Sequence, residues 1–241
     1  MKPLPATLGL ASFIAALALA QDKFAERRAA MVNEIRELTV TLQAETGIPK
    51  LDPRVLAAME RVPRHEFVPP GERERAYHNR PLPIAHGQTI SQPYIVALMT
   101  HLMRIEPDDV VLEVGTGSGY QAAVLAELAR HVYTIEIVEP LGKQAAQRLK
   151  ALGYENITTR IGDGYQGWPS EAPFDAIMVT AAPDHVPRPL IEQLKNNGRM
   201  VLPVGGNFLS QQLVVVEKKP DGRIETRQVI PVRFVPLTGT R

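Results

Sequence analysis

The stretch Val110-Val111-Leu112-Glu113-Val114-Gly115-Thr116-Gly117-Ser118-Gly119-Tyr120 decides the fold. Residues 110–114 form an apolar run broken only by Glu113, the composition of a strand in a parallel sheet with helices on both faces. Three alternate glycines follow at once, and Tyr120 opens a helical pattern that reaches about Ala129. A strand passing through such a loop into a helix presents backbone amides at its carboxyl end. Ligands of open α/β sheets bind there, and the glycines let them approach the main chain.

Downstream, the alternation repeats. His131–Ile137, Ile157–Ile161, Phe174–Thr180 and Arg199–Val204 read as further strands, with helical patterns around Pro140–Leu152 and Val186–Leu194. This spacing predicts right-handed βαβ units and a doubly wound, mostly parallel sheet. The tail differs: Gln212–Lys218 and Ile224–Pro231 are joined through Lys219-Pro220-Asp221-Gly222-Arg223. Two strands with no helix between them pair antiparallel, here at a sheet edge, and Arg233–Leu237 is expected to extend that region.

Upstream lies a helical region. Phe24, Met31, Ile35, Leu38 and Leu42 keep helical spacing between Asp22 and Gln43, and Gly47 with Pro49 breaks the pattern. Asp52 is placed to cap a helix opened by Pro53 and closed at Val62-Pro63, and Ser91 with Pro93 marks another helix start. The chain therefore reads as one domain over 21–241: an N-terminal helical and substrate-wall region at 21–108, a nucleotide-binding core at 109–205, and C-terminal strands at 206–241.

Residues 1–20 stand apart. Lys2 precedes an apolar run from Leu8 to Leu19, and Ala18 and Ala20 fit the small-residue pattern of a secretory cleavage site. The expectation is export, to the periplasm in a cell with two membranes, and a mature chain beginning at Gln21 with no stable membrane insertion. A cytoplasmic location is the alternative. The chain has no cysteine, which excludes thiolate nucleophiles, disulfides and cysteine-ligated metal, and its net charge of +1 gives no bulk attraction for nucleic acid.

The glycine spacing bears on the ligand. A dinucleotide fingerprint wants glycine three positions after Gly117, where this chain has Tyr120. The loop suits instead a ligand whose charged end is an amino acid, with Glu113 meeting the ammonium and the helix start the carboxylate. Glu136, seventeen positions beyond Gly119 at a strand end, is placed to accept both hydroxyl hydrogens of a ribose. That role fits NAD as well as S-adenosylmethionine. Asp163-Gly164 follows the next strand; the carboxylate can accept from an adenine amino group while the Gly164 backbone lies near the ring edge. Alone it would be an ordinary Asp-Gly turn.

Six segments in order make the chain resemble the protein-L-isoaspartate O-methyltransferases: Pro81–Ile84, Gly87–Tyr94, Glu113–Gly119, Gly162–Gly164, Thr180–Pro183 and Val232–Leu237. Thr89-Ile90-Ser91-Gln92-Pro93 is the most specific of them. The resemblance implies a Rossmann-like methyltransferase fold and S-adenosyl-L-methionine as methyl donor, with no metal. It implies isoaspartyl residues of damaged proteins as substrates, methylated on their free carboxylate. The ester so formed closes to a succinimide, whose hydrolysis restores some normal linkage. The resemblance assigns Ser91 to the active site, Glu113, Gly115, Gly117 and Gly119 to the donor, Glu136 to its ribose, and Asp163 with Gly164 to its adenine.

The chemistry expected of these residues is modest. A carboxylate is already ionised near neutrality and needs no general base. Attack on a sulfonium methyl neutralises charge, so a full cation on the carboxylate would hold the nucleophile back. A hydroxyl such as Ser91 orients it without that cost. No Gly-x-Ser-x-Gly elbow surrounds Ser91, which argues against a hydrolase, and His65, His78 and His86 lack tight metal spacing. Trp168 reads as packing. A methyltransferase for small carboxylic acids, an NAD-dependent dehydrogenase and a non-catalytic binding module are the competing readings. The segment around Ser91 argues against the first, the intact row of motif residues against the last, and titration of the two cofactors separates the dehydrogenase.

Overall fold

Helix α1 (Ala25–Thr41) opens the part of the chain described by the computed structural model, residues 23–205 and 210–240. The expected export signal at 1–20 lies outside those residues. Helix α1 buries Met31, Val32 and Ile35, and a short α2 (Gln43–Thr46) ends at Gly47. Asp52 caps α3 (Pro53–Arg61) as its position predicts: Oδ1 accepts from the Arg54 amide at 2.7 Å, and Pro53 fills the first turn, where its missing N–H costs nothing. Two short 3-10 turns, Arg64–Phe67 and Pro70–Arg75, lead to a small hairpin of β1 (Leu82–Pro83) and β2 (Thr89–Ile90). Helix α4 (Pro93–Met103) follows, with Gln92 rather than Ser91 at its N-cap.

The main sheet comprises β3 (Val110–Val114), β4 (His131–Glu136), β5 (Ile157–Ile161), β6 (Phe174–Val179), β7 (Leu194–Val204), β8 (Gln211–Lys218) and β9 (Ile224–Val232). Helices α5 (Tyr120–Ala126), α6 (Glu139–Ala151) and α7 (Arg188–Gln193) make crossovers. Strand order is β5-β4-β3-β6-β7-β8-β9, with β3 to β7 parallel and β8 and β9 antiparallel at the edge. The chain winds outward from β3 through β4 to β5, then returns to lay β6 on the other side of β3. The carboxyl ends of β3 and β6 therefore flank the topological switch point, where a doubly wound sheet opens a crevice. Alternation along β3 divides the core. Val111 packs toward the N-terminal helices, Leu112 and Val114 toward the opposite layer.

Several boundaries shift by one to three residues from the sequence reading, and two differ in a way that matters for the architecture. Strand β7 starts at Leu194 and takes over the end of the expected helix. Arg233–Leu237 does not prolong the hairpin. It turns across the carboxyl ends of the strands, where the Ala182 amide donates to the Val235 carbonyl at 2.8 Å and the Leu237 amide to the Ala182 carbonyl at 2.8 Å. Pro236 has no N–H to continue a strand ladder, so this segment becomes a strap over the crevice.

Candidate active site

The glycine loop after β3 is pinned from the β6 side. The Thr180 hydroxyl donates to the Gly115 carbonyl at 2.6 Å, and a Cβ at Gly115 would collide with that hydroxyl oxygen. Gly115 also has φ +100°, so both the close approach and the backbone demand glycine there. Across the crevice the Gly164 main chain lies so close to Val114 that a side chain would clash. Gly117 and Gly119 complete the turn, and Gly119 is the N-cap of α5. The amides of Gly115, Thr116, Gly117 and Gly119 are all engaged within the protein, so the loop offers fewer free donors than its glycine count suggests.

Three spaces open around this loop. The loop cavity is lined by Gly115, Gly117, Glu136, Ile137, Gly164 and the strap residues Val235–Thr238. An inner cavity beneath the loop is lined by Glu113, Thr116, Ser118, Gln121 and Ser91. An outer cleft of about 410 Å³ is lined by Ser91, Gln92, Ile95 and Pro231–Val235. Thr89 and Thr180 line all three, so the spaces meet at those two side chains.

The two glutamates have different settings. Glu136, 6% exposed, accepts from the Gly117 amide at 2.8 Å through Oε2 and from the Val138 amide at 2.9 Å through Oε1. Each oxygen keeps a second lone pair toward the loop cavity. Glu113 is wholly buried. Thr134 donates to its Oε2 at 2.6 Å, and the Thr116 hydroxyl lies 2.7 Å from that of Thr134. Because the Thr134 proton is committed to Glu113, Thr116 is the donor in the second bond. Glu113 Oε1 has no partner, and burial, reinforced by the nearby charge of Glu136, pushes its carboxyl up to about 8. An orphaned carboxylate oxygen in a cavity beside the loop is what a ligand ammonium would satisfy.

Ser91 is held by its backbone. Arg64 is fully buried; its Nη2 donates to the Ser91 carbonyl at 2.7 Å, and its Nε to the Ala76 carbonyl at 2.7 Å. Its guanidinium lies 4.8 Å from the Tyr120 ring centroid, and burial lowers its pKa to about 10, so it stays charged near neutrality. The Ser91 hydroxyl has no partner among the described residues and borders both the inner cavity and the outer cleft.

Glu113, Glu136, Ser91, Gly164 and the loop glycines thus come together. Asp163 is placed differently: Oδ1 accepts from the Tyr165 amide at 2.9 Å and Oδ2 from the Thr240 amide at 2.6 Å, and it is Gly164 that forms the cavity wall. Asp163 ties the strap down. Sequence reasoning did not single out Arg64, and it gave no site role to Thr180 or the strap although both lie in segments that carry the resemblance. It also missed Ile137, a 39% exposed apolar residue directly after Glu136 that lines the cavity and was legible from that position. Trp168 packs as expected, edge-on to Tyr133 at 5.2 Å. No histidine borders a space containing Ser91, and no metal-binding cluster occurs among the described residues.

Comparison with known proteins gives a consistent result. The family described as protein-L-isoaspartate(D-aspartate) O-methyltransferase matches residues 33–241. A protein-L-isoaspartate O-methyltransferase 2 of Polaromonas sp. is 66% identical over 211 residues, 88% of this chain and 100% of that protein. A protein-L-isoaspartate O-methyltransferase 1 of Cupriavidus necator is 62% identical over 220 residues, 91% of this chain and 85% of its own. Among solved structures, one protein-L-isoaspartate O-methyltransferase superposes with a TM-score of 0.72 at 28% identity, covering 85% of this chain and 66% of the other. A Plasmodium falciparum chain described as the same enzyme, in complex with S-adenosyl-L-homocysteine, gives 0.67 at 26% identity and covers 84% and 97%. With the match spanning nearly the whole described chain, this protein belongs to the protein-L-isoaspartate O-methyltransferase family and methylates isoaspartyl residues with S-adenosyl-L-methionine.

Proposed function

We propose that the three spaces divide this reaction among them. The loop cavity takes the adenosine of S-adenosyl-L-methionine, the inner cavity its amino-acid end, and the outer cleft the isoaspartyl residue. Their meeting at Thr89 and Thr180 is the observation that carries the reading. Glu136 accepts from the ribose hydroxyls with its free lone pairs. Ile137 and the Gly164 backbone flank the adenine, and Asp163, with Oδ1 on the Tyr165 amide and Oδ2 on the Thr240 amide, has a lone pair left on each oxygen for the adenine amino group. Glu113 receives the ammonium on Oε1. Gly115, Gly117 and Gly119 keep the loop thin enough for both ends to be reached.

The donor supplies an electrophilic methyl group on a sulfonium sulfur. Ser91, its carbonyl fixed by Arg64, donates its hydroxyl hydrogen to one oxygen of the substrate carboxylate and aims the other at the methyl carbon. The carboxylate oxygen forms a bond to that carbon as the carbon–sulfur bond breaks, its electron pair staying on sulfur. No proton moves, so the step needs no histidine, and none among the described residues lines either space that Ser91 borders. Alignment is the main contribution the chain can make to such a displacement.

Two variants separate the roles. Glu136→Ala weakens S-adenosylhomocysteine binding by about 1.5–3 kcal/mol, the worth of hydrogen bonds to a charged partner. Ser91→Ala lowers turnover with that affinity retained. Calorimetry with kinetics checks the split, and loss of affinity in the serine variant alone would contradict it. For location, we infer export from the 1–20 pattern; a purified chain whose mass starts at Met1, recovered from the cytosol, would refute it.

A further inference from the structure

The outer cleft carries one charge. Of its lining residues, Pro81, Thr89, Gln92, Ile95, Phe234 and their neighbours are apolar or uncharged, and only Arg233 is ionic. Arg233 is exposed and makes no ion pair or hydrogen bond among the described residues, although surface arginines elsewhere in the chain, such as Arg27, Arg61 and Arg188, are paired with glutamates. No acidic residue lines the cleft to neutralise it. Arg80, next to Pro81 of the cleft wall, is likewise exposed, and its side chain has no partner among the described residues.

Arg233 lines neither the loop cavity nor the inner cavity, so it stands away from the point where those spaces meet at Thr89 and Thr180. The reacting carboxylate belongs at that point. A guanidinium on it would withdraw electron density from the attacking oxygen, whereas one further along the cleft faces other parts of the bound peptide. Its planar fork suits a carboxylate side chain there.

We propose that Arg233 is a specificity residue that favours isoaspartyl sequences carrying an aspartate or glutamate beside the damaged position. This rests on the outer cleft being the substrate site. The neighbour's carboxylate pairs with Arg233 while Ser91 orients the reacting one. A lysine or arginine in the same place meets repulsion.

The test uses three isoaspartyl peptides of one length, differing only in whether the residues flanking the isoaspartate are acidic, neutral or basic. For the unaltered protein kcat/KM should be about two- to fivefold higher for the acidic peptide than for the neutral one, the scale of an exposed ion pair. The difference should reside in KM and shrink at high salt. Arg233→Gln should erase the ranking, and Arg233→Glu should reverse it in favour of the basic peptide. Both variants should bind S-adenosylhomocysteine and methylate the neutral peptide as the unaltered protein does. An unchanged ranking in Arg233→Glu, with the neutral peptide still methylated, would overturn the role of Arg233 and leave the cleft assignment standing. Loss of methylation of the neutral peptide in Arg233→Gln, with cofactor affinity retained, would also overturn it, because Arg233 would then serve the reacting carboxylate. Failure of the unaltered protein to methylate any peptide would instead remove the cleft reading itself.

Discussion

Glu113 is wholly buried, an environment far from that of a free carboxylate. Its carboxyl is raised from 4.5 to about 8 by burial, so the folded protein holds a proton there that the unfolded chain releases. Stability from this group is present below pH 4.5 and is lost as pH rises through about 8. Urea denaturation across that window should show a decline that Glu113→Gln flattens; parallel curves for the two proteins would contradict the assignment. An ammonium on Oε1 favours the ionised form, so cofactor binding near pH 7 should release a proton. Calorimetry in buffers of different ionisation enthalpy reads it directly. Arg64 makes a different prediction, as a positioning residue. Arg64→Met fills the same space but leaves the Ser91 and Ala76 carbonyls without their donor, costing about 1–3 kcal/mol of stability. Well below the melting point, kcat should fall while S-adenosylhomocysteine affinity and KM for peptide stay near normal. A variant losing stability alone would reduce Arg64 to a structural role. Neither behaviour was legible in the sequence: Arg64 sits in Val62-Pro63-Arg64-His65, with nothing to mark it as buried.

At the scale of elements, two strands were the most legible features. Val110–Val114, which is apolar, and Ile157–Ile161, which is rich in β-branched residues, begin and end where their composition says, because both are bounded by glycines or polar turns. The capped α3 was equally legible, since Asp52 and Pro53 act locally. The strap was not. Val232-Arg233-Phe234-Val235-Pro236-Leu237 is apolar apart from Arg233 and reads as a continuation of the preceding strand, and only the tertiary pairing with Ala182 and the Asp163 bond to Thr240 turn it across the sheet. The strap covers the loop cavity, so a chain ending at Phe234 should remain folded on its seven-stranded sheet yet bind S-adenosylhomocysteine at least tenfold more weakly, about 1.4 kcal/mol. Asp163→Ala should produce part of that loss. Unaltered affinity in the truncated chain would show that the strap contributes nothing to holding the cofactor.

For the molecule as a whole, function follows from where the winding reverses. The switch point between β3 and β6 opens the crevice; the glycine loop narrows it; the N-terminal hairpin brings Ser91 to its rim from one side, and the strap closes the other. Glu113, Glu136 and Gly164 were readable because each sits at or just after the carboxyl end of a strand recognisable from its composition. The convergence at Thr89 and Thr180 depends on packing between segments far apart in the chain, which periodicity does not encode. The central claim is that this convergence aligns an isoaspartyl carboxylate with a sulfonium methyl. Its most direct measurement is transfer of labelled methyl from S-adenosyl-L-methionine to an isoaspartyl peptide and to its aspartyl twin of identical sequence. The geometry predicts rapid labelling of the first and almost none of the second. Equal labelling of both, or of neither by folded protein that binds S-adenosylhomocysteine, would contradict it.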